Sequence, residues 1–172
     1  MLYEWGANST SAVQNGQAWR LLSSMFLHGN VFHLVINMAA LVSAGLIVER
    51  IYGHRLYALI YFASGIVGSS LSLYFASQTT VAVGASGAIF GVTGALFVAI
   101  FQHRKRLPKS FSKQMITSLS FFITYSIIQS LTKTGIDTAA HIGGLVAGSA
   151  LAFILPRSEE RRVGKECLRL CR

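Results

Sequence analysis

Five apolar stretches, almost free of charge, dominate this chain and leave few folds open to it. They cover residues 33–48, 56–76, 86–101, 115–131 and 139–155. Several fall slightly short of the ~20 residues a spanning helix normally uses, a shortfall that a tilted or bundled helix tolerates. Buried helices of a soluble core are disfavoured because such helices keep a polar face, whereas 56–76 is apolar nearly all round. Only 12% of the chain is charged, against about a quarter in an ordinary soluble domain. The pattern predicts an all-α fold, a polytopic membrane helix bundle.

Charge sets its orientation. Arg104, Lys105, Arg106, Lys109 and Lys113 fall within residues 102–114 without an acid between them, and Arg50, His54 and Arg55 lie between the first two stretches. Residues 77–85 carry no charge, and 132–138 set Lys133 against Asp137. The excess of Lys and Arg on cytoplasmic loops then puts both basic loops and the C-terminus inside, with residues 1–32 an extracytoplasmic loop. A net charge of +9 would suggest nucleic acid in a soluble protein. Here topology and anionic lipid account for it, so the expected partner is the lipid bilayer and no nucleic acid.

Both ends are unusual. No basic segment followed by an apolar core reads as a cleavable signal, so nothing upstream delivers residues 1–30 across the membrane. The arrangement predicts that an earlier helix is missing. Residues 1–156 read as one domain; 157–172 turn abruptly to charge, a basic cytoplasmic tail or an appended, non-native sequence. Cys167 and Cys171 both lie in that tail, so the body has no disulfide framework and no thiolate metal site.

An ionisable group in a spanning helix is a functional-site hypothesis by default. Ser86 opens the third stretch and His141 lies near the start of the fifth; a neutral imidazole could deprotonate that hydroxyl. Gly87 and Gly91 form a stripe of small residues beside Ser86, and Ala140, Gly144 and Gly148 form another beside His141. Small residues let helix backbones approach closely, as a serine and a histidine on different helices require. Either stripe alone is more often packing than catalysis. His33 and Asn37, four apart, share a helix face; both can donate hydrogen bonds, and no acid or cysteine joins them to make a metal site. Their bland alternative is interhelical adhesion, worth less than about 2 kcal/mol. No metal and no cofactor is expected.

Taken together, these residues resemble the rhomboid intramembrane serine proteases. Gly84-Ala85-Ser86-Gly87 resembles that family's GxSG nucleophile motif, Ala140-His141-Ile142-Gly143-Gly144 its histidine motif, and His33 with Asn37 its HxxxN motif. Trp19-Arg20 resembles the WR of its long first loop, and Glu49 with Gly53 the ExxxG that ends its second helix. The resemblance spans roughly residues 8–156. It implies a rhomboid-like bundle with five of six core transmembrane helices present, the chain starting in the loop after the first. It also implies that Ser86 and His141 are a catalytic dyad without an aspartate. His33, Asn37 and the Ser86 backbone N–H would be the oxyanion donors. Phe90 would stack on the imidazole where the family often has tyrosine, with Gly84, Gly87 and Gly144 in support. Asp137, one turn before His141, is assigned to the loop rather than to orienting the ring. Arg20 and Glu49 are carried over as motifs with no contact asserted between them.

The implied activity is intramembrane serine endopeptidase, cutting transmembrane protein substrates, in a multi-pass protein of a bacterial plasma membrane. Substrate and oligomeric state are left open. Two alternatives compete with this reading. A rhomboid-like protein that binds membrane clients without cutting normally lacks the serine or the histidine, and both are present. A channel or transporter predicts broken helices or repeated halves, and no internal repeat is visible.

Overall fold

The computed structural model describes residues 1–75, 80–105, 107–132 and 136–156. The charged tail, its two cysteines, Arg106 and Lys133 lie outside the described residues. Among the described residues, five long helices make up the bundle: α3 (Val31–Tyr52), α4 (His54–Phe75), α5 (Ser86–His103), α6 (Lys109–Thr132) and α7 (Thr138–Ile154). The first four are long and apolar enough to cross a membrane, and α7 is apolar but shorter, at 17 residues.

The helix ends follow local chemistry. Asn30 caps α3, its side chain accepting from the His33 N–H at 2.8 Å, the usual role of an asparagine just before a helix. Gly53, at φ +78°, stops α3 and lets the chain reverse directly into α4, a backbone region that glycine enters without steric cost. Asp137 caps α7 by accepting from the Ala140 N–H at 2.9 Å.

Two spans of sequence differ from expectation. The basic segment 102–114 is mostly helical: α5 runs on to His103 and α6 starts at Lys109, so Lys109 and Lys113 lie on the first two turns of α6 rather than in a loop. Long basic side chains at a helix end can reach water while their stems stay in apolar surroundings. Residues 1–30 are more ordered than their mixed composition suggests. They form strand β1 (Asn8–Ser9), helices α1 (Thr10–Gln14) and α2 (Arg20–Ser23), and a 3₁₀ turn at Ser24–Phe26. Strand β1 pairs antiparallel with β2 (Val81–Ala82), just ahead of α5.

Arg20 organises this outer segment. It is buried, donates to Gln17 Oε1 at 2.6 Å, to the Tyr3 carbonyl at 2.6 Å and to the Ala7 carbonyl at 3.0 Å, and lies over the Tyr3 ring. Its guanidinium thus replaces water with fixed acceptors. Glu49 instead meets His54 at the opposite end of α3.

Helix α5 occupies the centre. Most of its residues are buried, against almost none of α6. The apolar core lies toward the end of the bundle where α3 meets α4, with Val48, Tyr52, Ile60, Leu96 and Ala152 sealed from solvent. There the Tyr52 hydroxyl donates to the Ala152 carbonyl at 3.1 Å. At the other end of the bundle, the core gives way to small and polar residues around the start of α5.

Candidate active site

Glycine makes that end possible. A Cβ at Gly144 would overlap the carbonyl of Gly87, and one at Gly148 the carbonyl of Gly91. Helices α5 and α7 therefore meet backbone to backbone over two turns. On α4, a Cβ at Gly68 would stand 2.6 Å from the Ala140 carbonyl oxygen. Gly84 precedes α5 at φ +131°, where a Cβ would also press on the His33 ring at 2.9 Å. Its N–H donates to the Ser24 carbonyl at 3.0 Å, tying the loop ahead of α5 to the outer segment.

This close crossing brings Ser86, the first residue of α5, to His141 in the first turn of α7. His141 Nε2 and Ser86 Oγ are 2.9 Å apart, although 55 residues separate them in the chain. For Nε2 to accept the serine proton, the hydrogen of the neutral ring must sit on Nδ1. Nδ1 is buried and has no hydrogen-bond partner among the described residues. The ring is held instead by its face: Phe90, one turn along α5 from Ser86, stacks on it at 4.3 Å and 11°. Phe122 of α6 backs Phe90 at 5.9 Å.

His33 and Asn37 face the same space from α3. Gly29 N–H donates to His33 Nδ1 at 3.5 Å, so the proton of the neutral ring belongs on Nε2, the atom nearer Gly84. Asn37 is buried and gives one amide hydrogen to the His33 carbonyl at 2.8 Å. A primary amide has two, and the second remains for another acceptor. Among the described residues no group of three His, Cys, Asp or Glu side chains is placed to hold a metal ion.

These side chains line one cavity of about 1190 Å³, with Ser86 and His141 on one wall and His33 and Asn37 on another. Among the described residues its lining includes no lysine or arginine, and Asp137 is the one carboxylate on it. Residues of α3, such as Ile36 and Ala40, and of α6, such as Tyr125 and Gln129, complete it. Helices α3 and α6 scarcely touch each other, so the cavity lies along the gap between them.

Two neighbours were not singled out from sequence. His28 lies beside His33, the two rings edge-on at 5.2 Å. Burial, and then the nearby His33, lower its pKa, which favours a neutral ring. Its only sequence signal was a histidine just ahead of the Asn30 cap. Ser72 of α4 donates to Asp137, and nothing in its local sequence marks it.

Comparison with known proteins agrees with the motifs. Residues 15–158 match the Rhomboid domain. Rhomboid protease GluP of Bacillus subtilis is 38% identical over 159 residues, 91% of this chain and 30% of that protein. RHOMBOID-like protein 4 of Arabidopsis thaliana is 36% identical over 87% of this chain and 37% of its own length. Rhomboid-like protease 1 of Toxoplasma gondii is 34% identical over 90% and 53% respectively. The chain thus spans about a third to a half of these relatives. With the family's domain matched over most of its length, on a bundle of membrane-length apolar helices, this chain belongs to the rhomboid family of integral, multi-pass membrane proteins.

Proposed function

We propose that the chain carries the active site of an intramembrane serine endopeptidase, with Ser86 as nucleophile and His141 as its base. The observation that carries this reading is the 2.9 Å approach of Ser86 Oγ to His141 Nε2 in an apolar bundle. A serine hydroxyl is a weak nucleophile until an adjacent base takes its proton. As Oγ attacks the scissile carbonyl, that proton passes to Nε2 and the imidazole becomes a cation, with the Phe90 face beside it. An aromatic face attracts positive charge. The proton then goes to the leaving amine, the acyl-enzyme forms, and a water deprotonated by the same nitrogen releases the second product.

Negative charge gathers on the carbonyl oxygen in the tetrahedral intermediate, and fixed donors there give large rate effects. His33 Nε2–H, the second amide hydrogen of Asn37 and the Ser86 backbone N–H are the donors we assign. The last lies at the start of α5, where helical N–H groups have no intrahelical acceptor. The substrate is a transmembrane segment of another protein, entering from the bilayer through the gap between α3 and α6. A spanning helix satisfies its own backbone groups, so its scissile bond must first unwind. Polar side chains on the cavity wall, such as Asn37 and Gln129, offer that unwound stretch hydrogen-bonding partners which lipid lacks.

A fluorophosphonate, which phosphonylates an activated serine, tests the reading. It should label the wild-type chain and neither Ser86→Ala nor His141→Ala, and both variants should lose cleavage of a fluorogenic transmembrane peptide. Two residues acting as one unit lose little more when removed together, so the double variant should be no slower than either single one. Cleavage surviving in Ser86→Ala would overturn the mechanism. A protein that binds membrane clients without cutting would not be labelled at all.

A further inference from the structure

His141 has a mechanical problem. Its Nδ1 has no hydrogen-bond partner among the described residues, so no in-plane contact on that side fixes where the ring stands. Stacking on Phe90 sets the ring's plane but lets it slide. The position of Nε2 must therefore come from the backbone beneath it, at the start of α7. A helix start is ordinarily prone to fray, because its first N–H groups lack helical partners.

Here the start is held from two sides. The Asp137 side chain caps it through Oδ1, accepting from the Ala140 N–H at 2.9 Å. The Asp137 carbonyl accepts the His141 N–H itself at 3.2 Å. The other carboxylate oxygen, Oδ2, accepts from Ser72 Oγ on α4. Ser72 is buried, and Gly68, one turn earlier on the same face of α4, is where that helix lies against the Ala140 carbonyl. On the opposite side the Thr138 hydroxyl donates to the Ser130 carbonyl of α6 at 2.9 Å. One carboxylate thus joins the residue before the histidine, which it caps, to a neighbouring helix.

We propose that Asp137, braced by Ser72, is a positioning residue for His141: it sets the Nε2-to-Oγ distance by anchoring the first turn of α7 to α4. Asp137 does not act on the ring by direct hydrogen bond, since among the described residues Nδ1 has no partner and Nε2 meets Ser86. It belongs to the site through the backbone. The proposal rests on the assignment of Ser86 and His141 as a dyad.

Asp137→Ala, Asp137→Asn and Ser72→Ala, made in the full chain, test it. Asparagine keeps an oxygen for the Ala140 N–H, and its amide can donate to a Ser72 hydroxyl that now accepts, so the brace survives without the charge. Active sites are counted by fluorophosphonate titration, so turnover is read per folded site. Misplacement of a reacting group by about 1 Å can cost on the order of 10²-fold. Asp137→Ala should therefore lower kcat by roughly 10- to 100-fold with KM changed less than about twofold. Asp137→Asn should restore most of that loss, and Ser72→Ala should fall between. A merely structural cap would lower Tm and leave turnover per titrated site unchanged, which would overturn the proposal. An Asp137→Asn protein as slow as Asp137→Ala would overturn it too, showing that charge rather than anchoring matters.

A second readout needs no turnover. The imidazole nitrogen resonances of His141, identified by their loss in His141→Ala, should show a hydrogen-bonded Nε2 in the wild type. That signature should weaken in Asp137→Ala and return in Asp137→Asn; identical spectra in all three would refute the anchoring. If the wild type fails to label or cleave, the dyad assignment fails, while these spectra still report whether Asp137 fixes the ring.

Discussion

Helices α5 and α6 are neighbours in sequence and of similar apolar character, yet they live in different surroundings. Helix α5 is enclosed, its glycines under the carbonyls and side chains of α4 and α7. Most of helix α6 is exposed, with Phe121, Ile128 and Leu131 open to the surroundings and Tyr125 on the cavity wall. In a membrane, lipid tails are as apolar as leucine, so exposure of such side chains costs little and helix association depends on close packing and polar contacts. Close packing is what α5 and α7 have and α6 lacks. The bundle is thus divided into a rigid block that carries Ser86 and His141 and a looser flank that borders the cavity.

That contrast breaks most severely at Gly144. Replacing it with valine puts branched carbons where the Gly87 carbonyl already lies, and overpacking of a tight core costs about 1–3 kcal/mol or more. Gly144→Val should therefore lose cleavage outright and lower the thermal midpoint in detergent. Full activity would show that the α5–α7 crossing can open without harm. Asn37→Ala probes the block's edge, where α3 faces the cavity: kcat should fall by about 10²–10³-fold with little change in thermal midpoint. A stability loss at constant turnover would reassign Asn37 to helix adhesion. On the loose flank, Phe122→Ala removes the ring behind Phe90 and should cost about 1 kcal/mol, near the value of one aromatic pair. Phe121→Ala, on the exposed face, should stay within about 0.5 kcal/mol of wild type. A large effect at Phe121 would mean that α6 is packed on a partner.

The same division governs how much could be read from sequence. Hydrophobic runs mark α3 to α7 because lipid-facing and protein-facing positions are both apolar, so the signal is strong and nearly directionless. It says where the helices are and not which one is central. The glycines beside Ser86 and His141 supply that missing information, since only a close crossing needs them. Residues 1–30 read poorly because their order comes from one buried arginine gathering distant carbonyls and from a two-residue strand pair. Neither has a periodic signature. Asp137 is legible in the sequence as a loop residue one turn before His141; its capping bond is local to the start of α7, whereas its contact with Ser72 depends on where α4 stands. His28 carries no such mark either, since its nearness to His33 comes from the bend at Gly29 and Asn30 that leads into α3.

The backbone-to-backbone seam between α5 and α7 has a consequence for how this protein meets membranes of unequal thickness. A seam made by side chains can slide or re-pack as rotamers change, and so can follow a bilayer that thins or swells. One made by glycine against carbonyl has no such slack. Hydrophobic mismatch, which tilts helices and strains their neighbours, should be absorbed by α3 and α6, while the separation of Ser86 from His141 stays constant. On the proposed function, the chain should then respond to bilayer thickness through the width of the gap between α3 and α6, and keep its chemistry the same from one lipid to the next.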